Sequence, residues 1–405
     1  MNIKKTSQRY SEIISFGKDV LLWRYPGFIY GGSLSAKQLP PVFCFHSAEP
    51  VSFEATLQFL KTNDYCTISV DEFHYLLSQR KAALAARAIL LTFDDGLSSV
   101  WSVAYPLLKK YGFMATVFLI PSRVRNLPES RYYPNLEDVW AGRATLEEIT
   151  NRDNGDEPFA SWEEIRIMHE SGVIDFQSHT LDHSSIFISS TIEDFIGNAS
   201  FSRSRLFKYA MFIRRDLNQA EYNMPELGTP VYTSAPRMSR YHRYLGDAGL
   251  EKACTAFVKA KGGGAFFKRE GWKKELMRLV EDYKKRNPLP EGFETLEERR
   301  AEILFDLKTS KALIEQNLPG KEVCHLAYPW GKGSGLSISL SKMAGYQTNF
   351  WGKVDRRLTN TPDQDPFRIA RMGEDFLYLL PGAGRASLKK VITKKLNRRI
   401  KRNPA

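Results

Sequence analysis

Two aspartates, Asp94 and Asp95, stand side by side at the end of the apolar run "AILLTFDDG", and two histidines four residues apart, His179 and His183, follow a second such run in "VIDFQSHTLDH". Adjacent carboxylates repel, and burying an ion costs on the order of several kcal/mol unless something pairs with it. Either the aspartates lie in a wet turn or a cation holds one of them. One carboxylate and two imidazoles form a three-donor set with open positions, a composition that suits catalytic zinc and equally Fe2+ or another first-row ion. On a helical turn the spacing of His179 and His183 would put both rings on one side. With Asp95 as the third ligand, Asp94 is left beside the ion to act as a base toward a water molecule. A third motif, "AYPWGKG" from Ala327, is a Pro-Gly turn after the apolar run "EVCHL". Each motif alone has a bland reading, since Asp-Gly marks surface turns and paired histidines can share a solvated helix face. All three fall at the ends of strand-like segments, where parallel α/β architectures build their active sites.

The elements that must position these residues alternate. Strand-like runs are "PVFCFH", "AILLTF", "MATVFLI", "VIDFQS", "EVCHLAYP" and "GYQTNFW". Between them, Ser69 and Glu72, Ser161 and Glu164, and Thr295 and Glu298 have the spacing of capping boxes and predict helix starts. Gly112, Gly172 and Gly320 stand where helices should stop, and Pro106 predicts a kink within "SSVWSVAYPLLKKYG". Alternating βα units predict a parallel sheet, open or closed into a barrel. Residues 1–40 read as an N-terminal extension, helical around Ile13 to Trp23. Residues 187–290 break the rhythm with basic and aromatic clusters and "KAKGGGAFFKREG", and read as a long insertion that caps the site and sets substrate choice. In "SAPRMSRYHRYLGDAGLEK" the mix of Arg, Tyr and His suits sugar hydroxyls, carboxylates or phosphates, or simply a solvated surface.

Bulk composition narrows the function classes. The chain of 405 residues, 42% hydrophobic with 25 Phe, can fill an α/β barrel with extensions. It has no apolar run long enough for a membrane span, and its basic N-terminus lacks the pattern of a secretory signal, so a cytoplasmic protein is expected. Cys44, Cys66, Cys254 and Cys324 form no Cys-x-x-Cys pair and read as free, buried thiols. Nine of the net twelve positive charges lie in the last 21 residues, "RASLKKVITKKLNRRIKRNPA", which hold no acid. The basic balance therefore describes one segment, and no nucleic-acid partner is expected. In that tail Leu388, Val391, Ile392, Leu396 and Ile400 recur at helical spacing, which fits a helix lying on an anionic membrane surface or a solvated tail.

"TFDDG" followed by "SHTLDH" resembles the polysaccharide deacetylase family, the NodB-homology domain of carbohydrate esterase family 4. The likeness extends to "VFCFHS" and "AGYQTNF" and covers roughly residues 41–375, with 376–405 as the basic tail. It implies an α/β fold, a distorted TIM-like (β/α) barrel. It implies Asp94 as base and Asp95, His179 and His183 as ligands of a divalent metal, with Zn2+ the first expectation and Fe2+, Co2+, Ni2+ or Mn2+ as alternatives. The reaction would be hydrolysis of an N-acetyl group on an amino sugar, with a glycan as the partner. In the third motif Trp330 would offer a backbone N–H to the oxyanion and line the acetyl pocket, with Tyr328 and Pro329 as substrate-binding residues.

The chain departs from the family pattern in two places. Ala327 stands where the family usually has the arginine that orients the base, and Arg368 or Arg371, in "FRIARMG", could replace it. The late Leu-x-x-His motif is missing, and no histidine follows His325. His46, at the end of the first strand, is the substitute for the acid that protonates the leaving amine, or else a structural histidine. His325 reads as a core residue. The leading function is a metal-dependent N-deacetylase in surface-glycan biosynthesis, working in the cytoplasm or at the inner face of the membrane. The competing functions are an amidase or esterase on another acyl group and a non-catalytic glycan-binding protein.

Overall fold

The computed structural model describes residues 17–35, 38–78, 87–127, 133–155, 157–198, 225–287, 292–355 and 357–401, with side chains of the last segment up to Lys394. Apolar runs rich in β-branched and aromatic residues become the staves of a parallel sheet. The strands are β1 (Val42–Phe45), β2 (Cys66–Thr67), β3 (Ala88–Asp95), β4 (Ala115–Leu119), β5 (Ile174–Ser178), β8 (His325–Ala327), β9 (Thr348–Trp351), β10 (Ile369–Ala370) and β11 (Met372–Gly373). Their order is β10-β9-β8-β5-β4-β3-β1-β11, with β2 beside β3, and every pairing is parallel. The two ends of this eight-strand path are consecutive in sequence, separated by Arg371 alone. Ile369 and Ala370 pair with Phe350 and Trp351 on one side, and Met372 and Gly373 pair with Phe43 and Cys44 on the other. One short stretch thus closes the sheet into a distorted TIM-like barrel. Between β5 and β8 only Ser178 and Leu326 pair, and the buried Gln177 side chain completes that junction by accepting from the N–H groups of Cys324 and His325, 3.0 Å each.

Strand alternation sorts the side chains into two layers. Val42, Leu90, Phe118, Ala327, Phe350 and Ile369 point inward and cluster with Val70, Phe73, Leu76 and Leu77. The last four belong to α2 (Val70–Ser78), which plugs the amino-terminal end of the barrel. The outward layer, including Phe43, Phe45, Leu91, Phe93, Val117 and Phe176, packs under the outer helices. Those are α1 (Pro50–Thr62), α3 (Tyr105–Tyr111), α4 (Leu136–Trp140), α5 (Leu146–Thr150), α6 (Trp162–Glu170), α9 (Leu296–Asn317) and α10 (Gly335–Met343). All three expected capping boxes form, at Ser69–Glu72, Ser161–Glu164 and Thr295–Glu298. Such caps typically contribute about 0.5–2 kcal/mol each. Before α3 the chain passes through one π turn, Val100–Ala104, so Pro106 sits in the first turn of α3, where its missing N–H costs nothing. Gly112, Gly172 and Gly320 take the left-handed conformation expected of stop residues.

The segment that broke the alternating rhythm begins with β6 (Ser185–Phe195), paired antiparallel with β7 (Pro230–Pro236). With α7 (Ala248–Ala260) and α8 (Trp272–Arg286) it surrounds a separate core of Phe195, Leu250, Cys254, Val258, Phe266, Leu276 and Val280. "FSRSRLFKYAMFIRR" lies outside the described residues, as do residues 13–16 of the helix expected around Ile13 to Trp23; residues 17–21 are helical. The four cysteines are free as expected, but Cys66 is exposed and Cys44 half-buried rather than fully enclosed. The tail forms α11 (Leu388–Lys401). Its first turn is not a free amphipathic face, because Val391 is buried in the main core, with Leu388 packed beside it. Leu396 and Ile400 lie outside the described side chains. No helix among the described residues is long and apolar enough to cross a membrane.

Candidate active site

The carboxyl ends of β1, β3, β5 and β8 form the barrel mouth, and the chemistry-bearing residues gather there. Along β3, Thr92 and Asp94 follow Leu90 on the inward face. Alternation alone would send Asp95 to the opposite face. At Asp95 the backbone turns left-handed, φ 75°, and the carboxylate swings back to the mouth. Asp95 Oδ1 lies 3.6 Å from His179 Nε2 and 3.8 Å from His183 Nε2. Donors bound at about 2.0–2.1 Å to one tetrahedral ion would lie about 3.4 Å apart, so this spacing needs little closure. The three donors are buried.

His179 and His183 are not on a helical turn, contrary to the expectation from their spacing. They flank a bend in which Thr180 (φ 69°) and His183 (φ 52°) are left-handed. A regular turn is replaced because neighbouring groups tie the bend down individually. Asp306 on α9 accepts from the Leu181 N–H (3.0 Å), Ser310 on α9 bonds Ser178 (2.7 Å), and Thr180 Oγ1 accepts from the His183 N–H (3.2 Å). His179 Nδ1 lies 2.8 Å from the Ala327 carbonyl. A carbonyl only accepts, so Nδ1 carries a proton and Nε2, on the Asp95 side, is the nitrogen left to coordinate a metal. Burial, reinforced by the adjacent His179, pushes the His183 imidazole well below its ordinary pKa, which keeps it neutral and able to coordinate.

Arg371 takes the place that Ala327 leaves vacant. From the closing stretch between β10 and β11 its guanidinium points inward and grips Asp94 with both terminal nitrogens, Nη1 to Oδ1 at 2.6 Å and Nη2 to Oδ2 at 2.7 Å. Both residues are buried. Burial alone would raise the Asp94 carboxyl, but the Arg371 charge, then His179, override it and hold it well below the usual carboxylate range. Asp94 is therefore ionised across ordinary pH, an available though weak proton acceptor, and its Oδ2 stands 3.7 Å from His179 Nε2. The other candidate arginine, Arg368, is half-exposed, bonds Asp355 and Asp365 and does not reach Asp94.

In the third motif, parity decides which residues face the mouth. Ala327 points inward, so Tyr328 points outward. Tyr328 is fully buried against Trp351 and α10, its hydroxyl accepting from Asn349 Nδ2 at 2.6 Å. The expectation that Tyr328 binds substrate is corrected by its outward, buried position, and Pro329 is buried beneath the turn. Trp330 emerges through a left-handed residue (φ 54°), 45% exposed, with its ring 4.2 Å from that of His183. Gly331 (φ 64°) follows, and a Cβ there would meet Gly352 N at 2.4 Å. Gly331→Ala is therefore expected to cost at least the roughly 1–3 kcal/mol typical of a strained residue, read as a lower denaturant midpoint. Asp95, Thr180, His183 and Trp330 concentrate left-handed non-glycine backbone at this mouth, the kind of strain that functional sites store. His46 is exposed at the end of β1 and lies with Cys44 and Asp94 in one group of donor atoms within 4.8 Å of one another. His325 is a core residue at the plugged end, 2.7 Å from Thr348 Oγ1 and 2.8 Å from Asp71 Oδ1.

A buried carboxylate and two oriented imidazoles fit a divalent first-row ion by donor chemistry and spacing. With Asp94 alongside, the molecule belongs to the class of parallel barrels carrying a candidate hydrolytic centre at the mouth. Residues 81–240 match the family model described as polysaccharide deacetylase, the family that the sequence motifs resemble. It is 36% identical over 88 residues to YxkH of Bacillus subtilis, a protein named for the polysaccharide deacetylases, covering 20% of this chain and 31% of that one. It is 25% identical over 177 residues to the poly-beta-1,6-N-acetyl-D-glucosamine N-deacetylase of Staphylococcus aureus, covering 44% of this chain and 48% of that one. The matches thus span about half or less of these relatives' lengths. Among solved structures, a de-N-acetylase from Aggregatibacter actinomycetemcomitans superposes with a TM-score of 0.50 at 15% identity, over 87% of this chain and 98% of that one, a likeness of fold.

Proposed function

We propose that the protein is a metal-dependent hydrolase that removes N-acetyl groups from amino sugars of a glycan. The observation that carries this reading is the Asp95–His179–His183 donor set placed beside an Arg371-oriented Asp94 at one barrel mouth. The S. aureus relative named above, an N-deacetylase of an N-acetylglucosamine polymer, supports the choice of bond and sugar class. A divalent ion held by these three residues, Zn2+ first among the candidates, would supply Lewis acidity and a water nucleophile at neutral pH. Asp94 would act as the proton acceptor at this site, and Arg371 holds its carboxylate in a fixed orientation. The Trp330 side chain shields one flank of the site, and its backbone N–H would be the oxyanion donor. His46, exposed on the rim, donates the proton to the leaving amine.

Acetate release tests the reading. N-acetylated amino-sugar oligomers are expected to lose acetate faster than O-acetylated sugars at equal concentration. Faster release from the O-acetyl substrates would make the protein an esterase, and release from neither by metal-loaded chain would leave the glycan-binding alternative.

The basic tail extends the proposal to place. On this reading the protein acts from the cytoplasm at an anionic membrane, where surface-glycan intermediates are accessible. Lys389, Lys390 and Lys394 are exposed on α11, while its first apolar turn is docked on the barrel. Attraction rather than insertion then carries the contact. Each lysine near a charged surface contributes about 1 kcal/mol, so replacing all three by Glu is expected to weaken sedimentation with phosphatidylserine vesicles by about a hundredfold or more. Unchanged sedimentation would remove the membrane from the proposal.

A further inference from the structure

Beside the Asp95–His179–His183 set lies a second group of donors. Cys44, His46 and Asp94 each offer one ligand atom, all within 4.8 Å of one another. Strand geometry brings them together. Cys44 lies on the inward face of β1 with His46 just past the end of the strand, and Cys44 is in register with Thr92, two residues before Asp94. The Cys44 thiol is 3.4 Å from Asp94 Oδ2. On the other side of β1, Cys44 is in register with Gly373 of β11, so the missing side chain of Gly373 faces the same way as the thiol. A Cβ built at Gly373 meets nothing within 4 Å. No side chain of Gly373 therefore fills the space on the β11 side of the thiol.

We propose that Cys44, His46 and Asp94 form a second metal site, selective for thiophilic divalent ions such as Zn2+, which competes with catalysis. One sulfur, one imidazole nitrogen and one carboxylate oxygen match the preferences of zinc and cobalt over magnesium or calcium. Binding releases the thiol proton to solvent and forms the metal–sulfur bond, with no redox change. Asp94 already contacts Arg371, and its Oδ2 retains a lone pair for the ion. The neighbouring cation at the first site repels the second, so the second ion binds more weakly. Once bound it ties up Asp94 and His46, so the inhibitory consequence rests on the proposed function whereas the site itself does not.

Cobalt titration of the full-length protein separates the two. The first equivalent is expected to give visible bands without a sulfur signal, and the second to add near-ultraviolet thiolate-to-cobalt absorption and to reduce acetate release. Cys44→Ser should keep the first equivalent, lose the sulfur absorption and weaken the second by at least about tenfold, the lower end of what even outer partners of metal sites contribute. Gly373→Val fills the space beside the thiol without removing a ligand and should have the same effect. Cys66→Ser, at the opposite end of the barrel, should change nothing. Binding of a single equivalent, or a sulfur signal that survives Cys44→Ser, overturns the proposal whether or not the protein proves to be a deacetylase.

Discussion

Asp95→Ala and His179→Ala are each expected to strip the purified protein of its one tightly bound divalent ion, counted by elemental analysis. Acetate release should fall by at least about a thousandfold in both, since a catalytic ion contributes several kcal/mol and each 1.4 kcal/mol is a factor of ten. The reason is local. Asp95 reaches the two imidazoles only because its backbone is left-handed, and His179 presents Nε2 only because Ala327 fixes its other nitrogen. Removing either donor leaves two ligands on a flexible angle. Stability should change little by comparison, because neither side chain fills the apolar core. A native protein that takes up no divalent ion after reconstitution, with its fold intact, would overturn the enzyme reading and favour a glycan-binding role.

The second large effect is at Arg371. Arg371→Met should lower stability by about 3–5 kcal/mol, the cost of leaving a buried charge without its partner, and lower turnover by about 10²–10⁴, the range for losing a positioned proton acceptor. The double variant Arg371→Met/Asp94→Asn should recover most of the stability and none of the activity, which separates packing from chemistry. Acid provides an independent check. The folded-state pKa of Asp94 is held below its unfolded value, so the pair contributes fully above about pH 4 and its contribution is lost as pH falls toward the folded value. The stability gap between the native protein and Arg371→Met should therefore narrow on acidification. A gap independent of pH down to the point of acid unfolding would show that the ion pair is not what the substitution removes.

Much of this arrangement is legible in the sequence because it obeys local rules. The capping boxes at Ser69, Ser161 and Thr295 are short-range signals, and tertiary packing agreed with them. The six apolar runs were strands because each is buried on both faces, which removes the ambiguity of alternation. Residues whose role depends on parity or on the neighbour across the sheet were less legible. Tyr328 and Trp330 sit in one motif, yet one residue of offset sends Tyr328 into the outer layer and Trp330 to the mouth. Arg368 and Arg371 are equivalent candidates on paper, and only the register of the closing strand selects Arg371. The helical geometry assumed for His179 and His183 failed because α9, distant in sequence, supplies Asp306 and Ser310 to hold a bend instead. Cys44 read as an inert thiol, since nothing local reveals that Gly373 lies beside it. The core between β6, β7, α7 and α8 was hidden for the same reason, its partners being separated by a long stretch of chain.

The barrel is closed by its last stave in the chain, and the residue at the midpoint of that stave neutralises the charge on Asp94. Ring closure and charge neutralisation are therefore a single event. During synthesis Asp94 emerges nearly three hundred residues before Arg371 and cannot be buried at low cost until Arg371 arrives. A nascent chain halted before residue 371 keeps two open sheet edges and an uncompensated carboxylate, the features of a substrate for chaperones and proteases. The order of residues along the polypeptide thereby makes the candidate catalytic centre a late product of folding, assembled only in molecules whose ring has already joined.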